Sequence, residues 1–327
     1  MQVTIVGAGA IGSLLAARIA RSGCDVSLLV RGDSSLLPGQ SRIQLIDDDG
    51  EHAVAVGIES EPTKLGLQDL IVLAVKAHAI VGALHQIAPL LGPQTTVLTA
   101  VNGVPWWFFA GHQPRTDLTS VDPDGQISEA LERQQLVGCV LFPAAQIIAP
   151  GCVRHISGNR IVFGNPRPAD NRAADVVDLF ANAGFEAPVA PDIRAVIWAK
   201  LVGNAAINPL SVITGATIQH MAEQPNLSAI LTSAMAEIDT VGLAIEIAPM
   251  MSQGERLQLA SSVGHHKTSM LQDFEAGRTL ELAPLLGAVR EIARWKAVPT
   301  PILDTFDHLV AAKLAGSPVA NKDAGFG

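Results

Sequence analysis

The chain has 327 residues, 48% of them apolar and 16% charged, with a formal net charge of −9. That length carries two domains of ordinary size around a sizeable core and excludes a largely disordered chain. The acidic balance, without a concentrated basic stretch, excludes a nucleic-acid surface. Three cysteines, Cys24, Cys139 and Cys152, give neither a disulfide framework nor a CxxC metal spacing; they fit a reduced cytoplasmic setting.

In chain order, the apolar run Val3-Thr4-Ile5-Val6 leads straight into Gly7-Ala8-Gly9-Ala10-Ile11-Gly12, and a helical pattern follows from Ser13 to Arg21. A GxGxxG alone is a weak signal, but here it has the strand before it and the helix after it that dinucleotide binding requires. Gly7 permits the tight turn, Gly9 lets the backbone approach a pyrophosphate, and Gly12 allows close helix–strand packing. Together with Ala10 and Ile11 they form the candidate phosphate cradle at a helix N-terminus. The same apolar N-terminus lacks the basic start of a signal peptide, and its glycines fit a strand–turn–helix better. No uninterrupted run of about 20 apolar residues is present to span a bilayer.

The next strand, Val26 to Val30, closes on Arg31. An NAD-selective fold usually places Asp or Glu there; a guanidinium instead suits the 2′-phosphate of NADP. Asp33, two residues on, leaves NAD open. Leu70 to Val75 and Thr95 to Val101 are buried strands followed at once by Lys76 and by Asn102. Ligands of such sheets lie beyond the carboxyl ends of the strands, so both residues are candidate cofactor contacts. From Pro105 to Arg133 the pattern loosens into an excursion opened by Trp106-Trp107-Phe108-Phe109, read as a satellite core or a cover for the site. Val137 to Ala145 and Arg160 to Gly164 are further strands, and Ala173 to Ala183 is a helix.

The boundary falls at Pro188 to Asp192, giving an N-terminal doubly wound Rossmann-type parallel sheet over 1–191 and an all-helical domain over 192–327. Helical periodicity covers 194–208, 226–245, 252–263, 283–295 and 299–315, and Gly316 to Gly327 reads as a frayed end. Lys200, Asn204 and Asn208 are spaced by four, so they form one polar stripe on a helix whose neighbours are small or apolar. Such groups must be satisfied or face a cavity. Pro209 is expected to stop the helix and to turn Asn208 away from helical geometry. A third cluster places Ser269 and Glu281 at the two ends of a loop-and-turn segment, where helix capping and catalysis are both open. No metal site is expected: His265 and His266 are adjacent, and no ligand spacing completes a set.

Taken together, the glycine fingerprint with Arg31, the run Lys200-x-x-x-Asn204-x-x-x-Asn208-Pro209-Leu210, and Ser269-Met270-Leu271-Gln272-Asp273 followed by Thr279-x-Glu281 resemble the ketopantoate reductases (2-dehydropantoate 2-reductases). The resemblance runs over nearly the whole chain with the motifs in order. It implies NADPH held by the first domain and a 2-oxo acid, ketopantoate first among them, reduced to the alcohol. It further implies Lys200 as general acid with Glu281 beside it or on a substrate hydroxyl. Asn204, Asn208 and Ser269 would orient the substrate, and Gly7, Gly9, Gly12, Arg31, Lys76 and Asn102 would hold the cofactor. The Ala- and Leu-rich C-terminal half is compatible with a homodimer interface or with burial inside the domain.

One departure stands out. The family often continues Thr-Glu-Ile-Asp with Asn-Gly soon after, whereas this chain has Leu280-Glu281-Leu282-Ala283-Pro284. That leaves the reaction class intact and opens the substrate. Alternatives are therefore a reductase of another 2-oxo acid on the same scaffold, an opine or imino-acid dehydrogenase, and a non-catalytic NADP(H) sensor.

Overall fold

The computed structural model describes residues 1–31, 41–112, 117–131, 135–167 and 169–316. It divides into two compact units, Met1–Val196 and Ile197 onward. Asp33, Arg133 and the end of the chain beyond Gly316 lie outside the described residues.

The first unit runs β1 (Gln2–Val6), α1 (Ala10–Arg21), β2 (Asp25–Leu29), β3 (Arg42–Asp47), β4 (Gly50–Ala55), β5 (Gly57–Glu59), β6 (Leu70–Leu73), α2 (Ile80–Ile87), β7 (Thr96–Thr99), α3 (Gln126–Leu131), β8 (Gln135–Leu141), β9 (Ala144–Ala149), β10 (Cys152–Ser157), β11 (Ile161–Gly164) and α4 (Ala173–Asn182). Seven strands form the main sheet in the order β11-β8-β7-β6-β1-β2-β5. All neighbours are parallel except β11, which pairs antiparallel with β8. The chain leaves β1 on one side toward β2 and resumes on the other at β6, so the strand order reverses there, the place where such sheets bind ligands. Strands β6 and β7 are buried along their whole length, which is why they read as continuous Leu/Ile/Val runs.

A second sheet, ordered β4-β3-β10-β9, is absent from the sequence reading. Helix α1 lies between the two sheets, packing against β1 and β2 of one and β3, β4, β9 and β10 of the other. This explains why α1 buries Gly12, Ser13, Leu14, Leu15, Ala16, Ala17 and Ile19, apolar or small on nearly every side. The strand expected over Val137 to Ala145 is in fact two, β8 and β9, parted at Phe142-Pro143; proline cannot donate to a ladder.

The aromatic run after Asn102 belongs to the core of this unit. Trp106, Trp107 and Phe108 are buried, and the Trp107 indole N–H donates to Thr99 Oγ1 at 3.1 Å. The Arg194 guanidinium stands over the rings of Phe108 and Phe109, 5.1 and 5.4 Å from their centroids.

The second unit is built wholly of helices among the described residues. They are α5 (Ile193–Thr214, which begins in the first unit), α6 (Ile218–Glu223), α7 (Pro225–Ala244), α8 (Gln253–Ser262), α9 (Ser269–Glu275), a π-helical turn at Ala283–Gly287, α10 (Ala288–Trp295) and α11 (Pro301–Ala315). Helices α5 and α7 are long and apolar enough to cross a membrane by length and composition. Here they serve as core helices, with Trp198, Leu201, Val202, Ala205, Ala206, Leu231, Ala234, Met235 and Ile238 buried. Helix α5 does not stop before Pro209: it continues to Thr214 with the proline inside.

Candidate functional site

In the first unit, parallel register places the expected cofactor residues along one edge of the main sheet. Val6 pairs with Leu29 and with Leu73, and Leu73 pairs with Thr99. The segments that follow these four residues therefore leave the sheet side by side. They carry Gly7 to Gly12 after β1, Arg31 after β2, Lys76 after β6 and Asn102 after β7. Arg31 is exposed, while Lys76 and Asn102 are half-buried.

The turn itself has the shape a diphosphate needs. Gly7 has φ +109°, and a Cβ there would stand 2.8 Å from Val75 Cγ1 and 2.9 Å from the Ala74 carbonyl oxygen. A Cβ on Gly12 would stand 2.0 Å from the Gly7 carbonyl oxygen, so that position excludes any side chain. Gly9 differs: a Cβ there would meet nothing within 4 Å. Its bareness leaves open the space in front of the α1 N-terminus, where Gly9 is the N-cap. No side chain caps α1 among the described residues, and its first turn carries no acid. The N–H groups there are the kind that bind phosphate. The residues present thus fit a dinucleotide.

In the second unit, Lys200, Asn204 and Asn208 all lie on α5, the first two half-buried and Asn208 buried. The helix is fixed on both sides of this stripe. On one side, the Trp198 indole N–H donates to the Ile238 carbonyl at 3.3 Å, and Arg256 Nη1 donates to the carbonyl of Ala199, next to Lys200, at 2.6 Å. On the other, side chains serve the carbonyls of the last turns. Ser211 Oγ donates to Asn208 O at 2.6 Å and Thr214 Oγ1 to Leu210 O at 2.8 Å, while Lys313 Nζ reaches Val212 O and Ile213 O at 2.6 and 3.0 Å. Helix α5 runs on through Pro209 with these bonds on the carbonyls around and beyond it. The proline removes one N–H, its own, at a cost of about 3 kcal/mol, and three side chains make four bonds to the carbonyls of the turns around and after it.

Burial pushes the Asp239 carboxyl above its ordinary value, with Arg256 and Gln253 partly offsetting it. Burial likewise holds the Arg256 guanidinium below its ordinary value, with Asp239 opposing.

Ser269 is not in a loop. It is the first residue of α9, and it is exposed. The N-cap is its neighbour Thr268, whose hydroxyl accepts from Leu271 N at 3.0 Å. The same hydroxyl meets Ser211 Oγ at 2.6 Å. Through that contact the structure joins the segment of Ser269 to the turn of Asn208. Glu281 is half-buried and directly precedes Leu282 and the π-helical turn at Ala283–Gly287. A π turn widens a helix locally and recurs at functional sites; here it occupies the positions where the chain departs from the Thr-Glu-Ile-Asp pattern. His265 and His266 lie between α8 and α9, not on a helix. Ser211, Thr268 and Arg256 were not singled out by sequence reasoning. Only the hydroxyl four residues before Gln272, an N-cap signal for α9, was there to be read.

Comparison with known proteins covers nearly the whole chain. The family model "Ketopantoate reductase PanE/ApbA" matches residues 3–168, and "Ketopantoate reductase PanE/ApbA C terminal" matches 192–314. A 2-dehydropantoate 2-reductase of Mesorhizobium japonicum is 40% identical over 315 residues, which is 95% of this chain and 97% of the relative. One of Halobacterium salinarum is 28% identical over 318 residues, 95% of this chain and 98% of the relative. Among solved structures, a protein of Ralstonia solanacearum MolK2 superposes with a TM-score of 0.90 at 38% identity, covering 96% of this chain and 98% of its own. A D-mandelate dehydrogenase solved with NADH and anilino(oxo)acetate shares the fold, with a TM-score of 0.82 at 22% identity and coverage of 96% and 98%.

Proposed function

From the premise that this chain belongs to the ketopantoate reductase PanE/ApbA family, we propose that it reduces ketopantoate (2-dehydropantoate) to pantoate, with NADPH as hydride donor and Lys200 as proton donor. The observation that carries the reading is the 40% identity, over nearly both full chains, to a relative named 2-dehydropantoate 2-reductase. In this reading residues 1–191 bind the dinucleotide and residues 192–327 supply the substrate and acid–base groups.

NADPH, when bound, supplies the hydride. The backbone of Gly7, Gly9, Ala10, Ile11 and Gly12 holds its pyrophosphate at the α1 N-terminus. Arg31 pairs with the 2′-phosphate, and Lys76 and Asn102 add contacts along the same sheet edge. The NADP preference rests on Arg31 standing where an NAD fold carries an acid; Asp33, the residue that left NAD open, lies outside the described residues.

Reduction of a 2-oxo acid builds negative charge on the former carbonyl oxygen. The Lys200 ammonium stabilises that charge and then gives up a proton to it. Asn204 and Asn208, on the same helical stripe, and Ser269 orient the substrate through its carboxylate and hydroxyl groups. Glu281 keeps the acid in place or binds a substrate hydroxyl. A second reading, another branched 2-oxo acid in place of ketopantoate, draws on the π-helical turn behind Glu281, where the family pattern is replaced.

The test is NADPH oxidation, followed by absorbance, against ketopantoate, 2-oxoisovalerate, pyruvate and oxaloacetate. Turnover confined to ketopantoate supports the first reading, and turnover of another acid the second. Lys200→Ala should lower kcat by about 10²–10⁴-fold while NADPH still binds. A protein with no turnover on any of the four and tight NADPH binding intact favours a sensor or a substrate outside the panel.

A further inference from the structure

Asn208 and Ser269 come from distant segments, and two buried hydroxyls lie between them. Ser211 is fully buried and Thr268 is 4% exposed. Ser211 Oγ lies 2.6 Å from Asn208 O and 2.6 Å from Thr268 Oγ1, and Thr268 Oγ1 lies 3.0 Å from Leu271 N.

The chemistry allows this chain one direction. A carbonyl can only accept, so Ser211 spends its one proton on Asn208 O. A backbone N–H can only donate, so Thr268 accepts from Leu271. The contact between the hydroxyls is then satisfied only if Thr268 donates to Ser211. Protons therefore run Leu271 N–H to Thr268, Thr268 to Ser211, and Ser211 to Asn208 O, with none left over.

An exposed N-cap satisfies its helix and turns its own proton to water. Here the proton of the α9 cap is placed on α5, so the position of α9 is set by the turn that carries Asn208. Pro209 follows Asn208 directly and removes a backbone N–H from that stretch of α5. The Ser211 bond to the Asn208 carbonyl spans three residues and fastens this turn from outside the backbone ladder.

We propose that Ser211 and Thr268 are positioning residues, a buried one-way hydroxyl relay that fixes the spacing between Asn208 and Ser269 and so the orientation of the 2-oxo acid. The proposal rests on the reading that Asn208 and Ser269 touch the substrate. Neither relay hydroxyl contacts the reacting atoms itself; each acts through the group it holds.

Steady-state kinetics of Ser211→Ala, Thr268→Val, Thr268→Ser and the Ser211→Ala/Thr268→Val pair, with thermal unfolding of each, test it. Ser211→Ala and Thr268→Val should raise KM for ketopantoate about 10-fold and leave KM for NADPH within about twofold. Thr268→Ser keeps the hydroxyl and should stay within about threefold of the parent. The double variant should be no worse than the poorer single, because one relay is broken once. Should Thr268→Val fail to fold for want of its cap, Ser211→Ala decides alone, since Thr268 then keeps its bond from Leu271. A lower Tm with unchanged KM in Ser211→Ala overturns the relay and leaves a merely structural bond. A parent enzyme inactive on every 2-oxo acid overturns the functional reading, and the relay with it; an active parent with normal variants overturns the relay only.

Discussion

Alanine at Gly9 and alanine at Gly12 should fail in opposite ways. At Gly12 the new Cβ would stand 2.0 Å from the Gly7 carbonyl oxygen, far inside the 3.0 Å below which such contacts essentially do not occur. The obstacle is backbone, so the turn must open. Overpacking of this kind costs about 3 kcal/mol at the upper end, and the better helix propensity of alanine returns about 1. The net loss of about 2 kcal/mol lowers Tm by about 4–8 °C for a unit of this size. At Gly9 the backbone is extended (φ −71°, ψ 178°), which alanine adopts freely, and nothing lies within 4 Å. The cost is the poorer N-cap alone, about 1 kcal/mol. Its methyl, however, fills the space in front of the α1 N-terminus, and the same overpacking now falls on the cofactor: about 1–3 kcal/mol, or about 5–150-fold in the Kd for NADPH. Thermal unfolding without ligand and fluorescence titration with NADPH separate the two. A Gly9→Ala protein that binds NADPH like the parent would refute the placement of the pyrophosphate. A Gly12→Ala protein as stable as the parent would refute the turn geometry.

Gly242→Ala places a Cβ 2.4 Å from Trp198 Nε1, which donates to Ile238 O; urea unfolding should show a net loss of about 1–2 kcal/mol, and a gain would mean that helix propensity outweighs the wedge. Arg31→Ser should weaken NADPH by about 10–100-fold and leave NADH nearly unchanged, since a charge-assisted pair with phosphate is worth about 1.5–3 kcal/mol; equal losses for both cofactors would remove Arg31 from the 2′-phosphate. Asp239 gives a pH test. Its carboxyl is raised by burial, so the folded state holds the proton more tightly than the unfolded chain. That stability is full below the unfolded value, about 3.9, and is lost as pH rises through the raised folded value. Asp239→Asn should therefore match the parent in acid and exceed it at neutral pH; a Tm difference that does not grow with pH would contradict the sign.

Much of this was legible because it is local. Gly7, Gly9 and Gly12 need only their own strand and helix, and β6 and β7 announce themselves as unbroken apolar runs. Lys200, Asn204 and Asn208 fall on one stripe at helical spacing whatever surrounds them. The extent of α5 was not legible. Pro209 predicts a stop, yet the helix runs on to Thr214, and the turn beyond it is held in part by Lys313, a hundred residues away in sequence. Helix α9 spans 7 residues, too few for periodicity to show. The strands β3 and β4 alternate modestly and end in a turn at Asp48-Asp49-Gly50, which is a hairpin signal. Their partners β9 and β10 come from elsewhere in the chain, and nothing local declares that pairing. Ser211 and Thr268 are ordinary small polar residues until their contact is known.

That second sheet also bears on how the chain folds. It consists of two hairpins, β3–β4 and β9–β10, each local enough to close in microseconds. They join only through parallel pairing of Gln44 with Cys152, Leu45 with Val153 and Ile46 with Arg154. Between them the chain must lay down β5, β6, β7 and β8 of the other sheet. Until that is done α1 has one sheet to pack on, and the side that β3, β4, β9 and β10 will cover faces water. Loop-closure entropy grows only slowly with length, so the delay costs rate more than stability. Pulsed hydrogen exchange during refolding should find the β3–β4 amides protected before those that join β3 to β10. Simultaneous protection would mean that the sheet assembles in one step. The chain's most exposed moment is thus the interval before this clasp shuts, when substitutions on the outer side of α1 would show themselves as aggregation and not as lost activity.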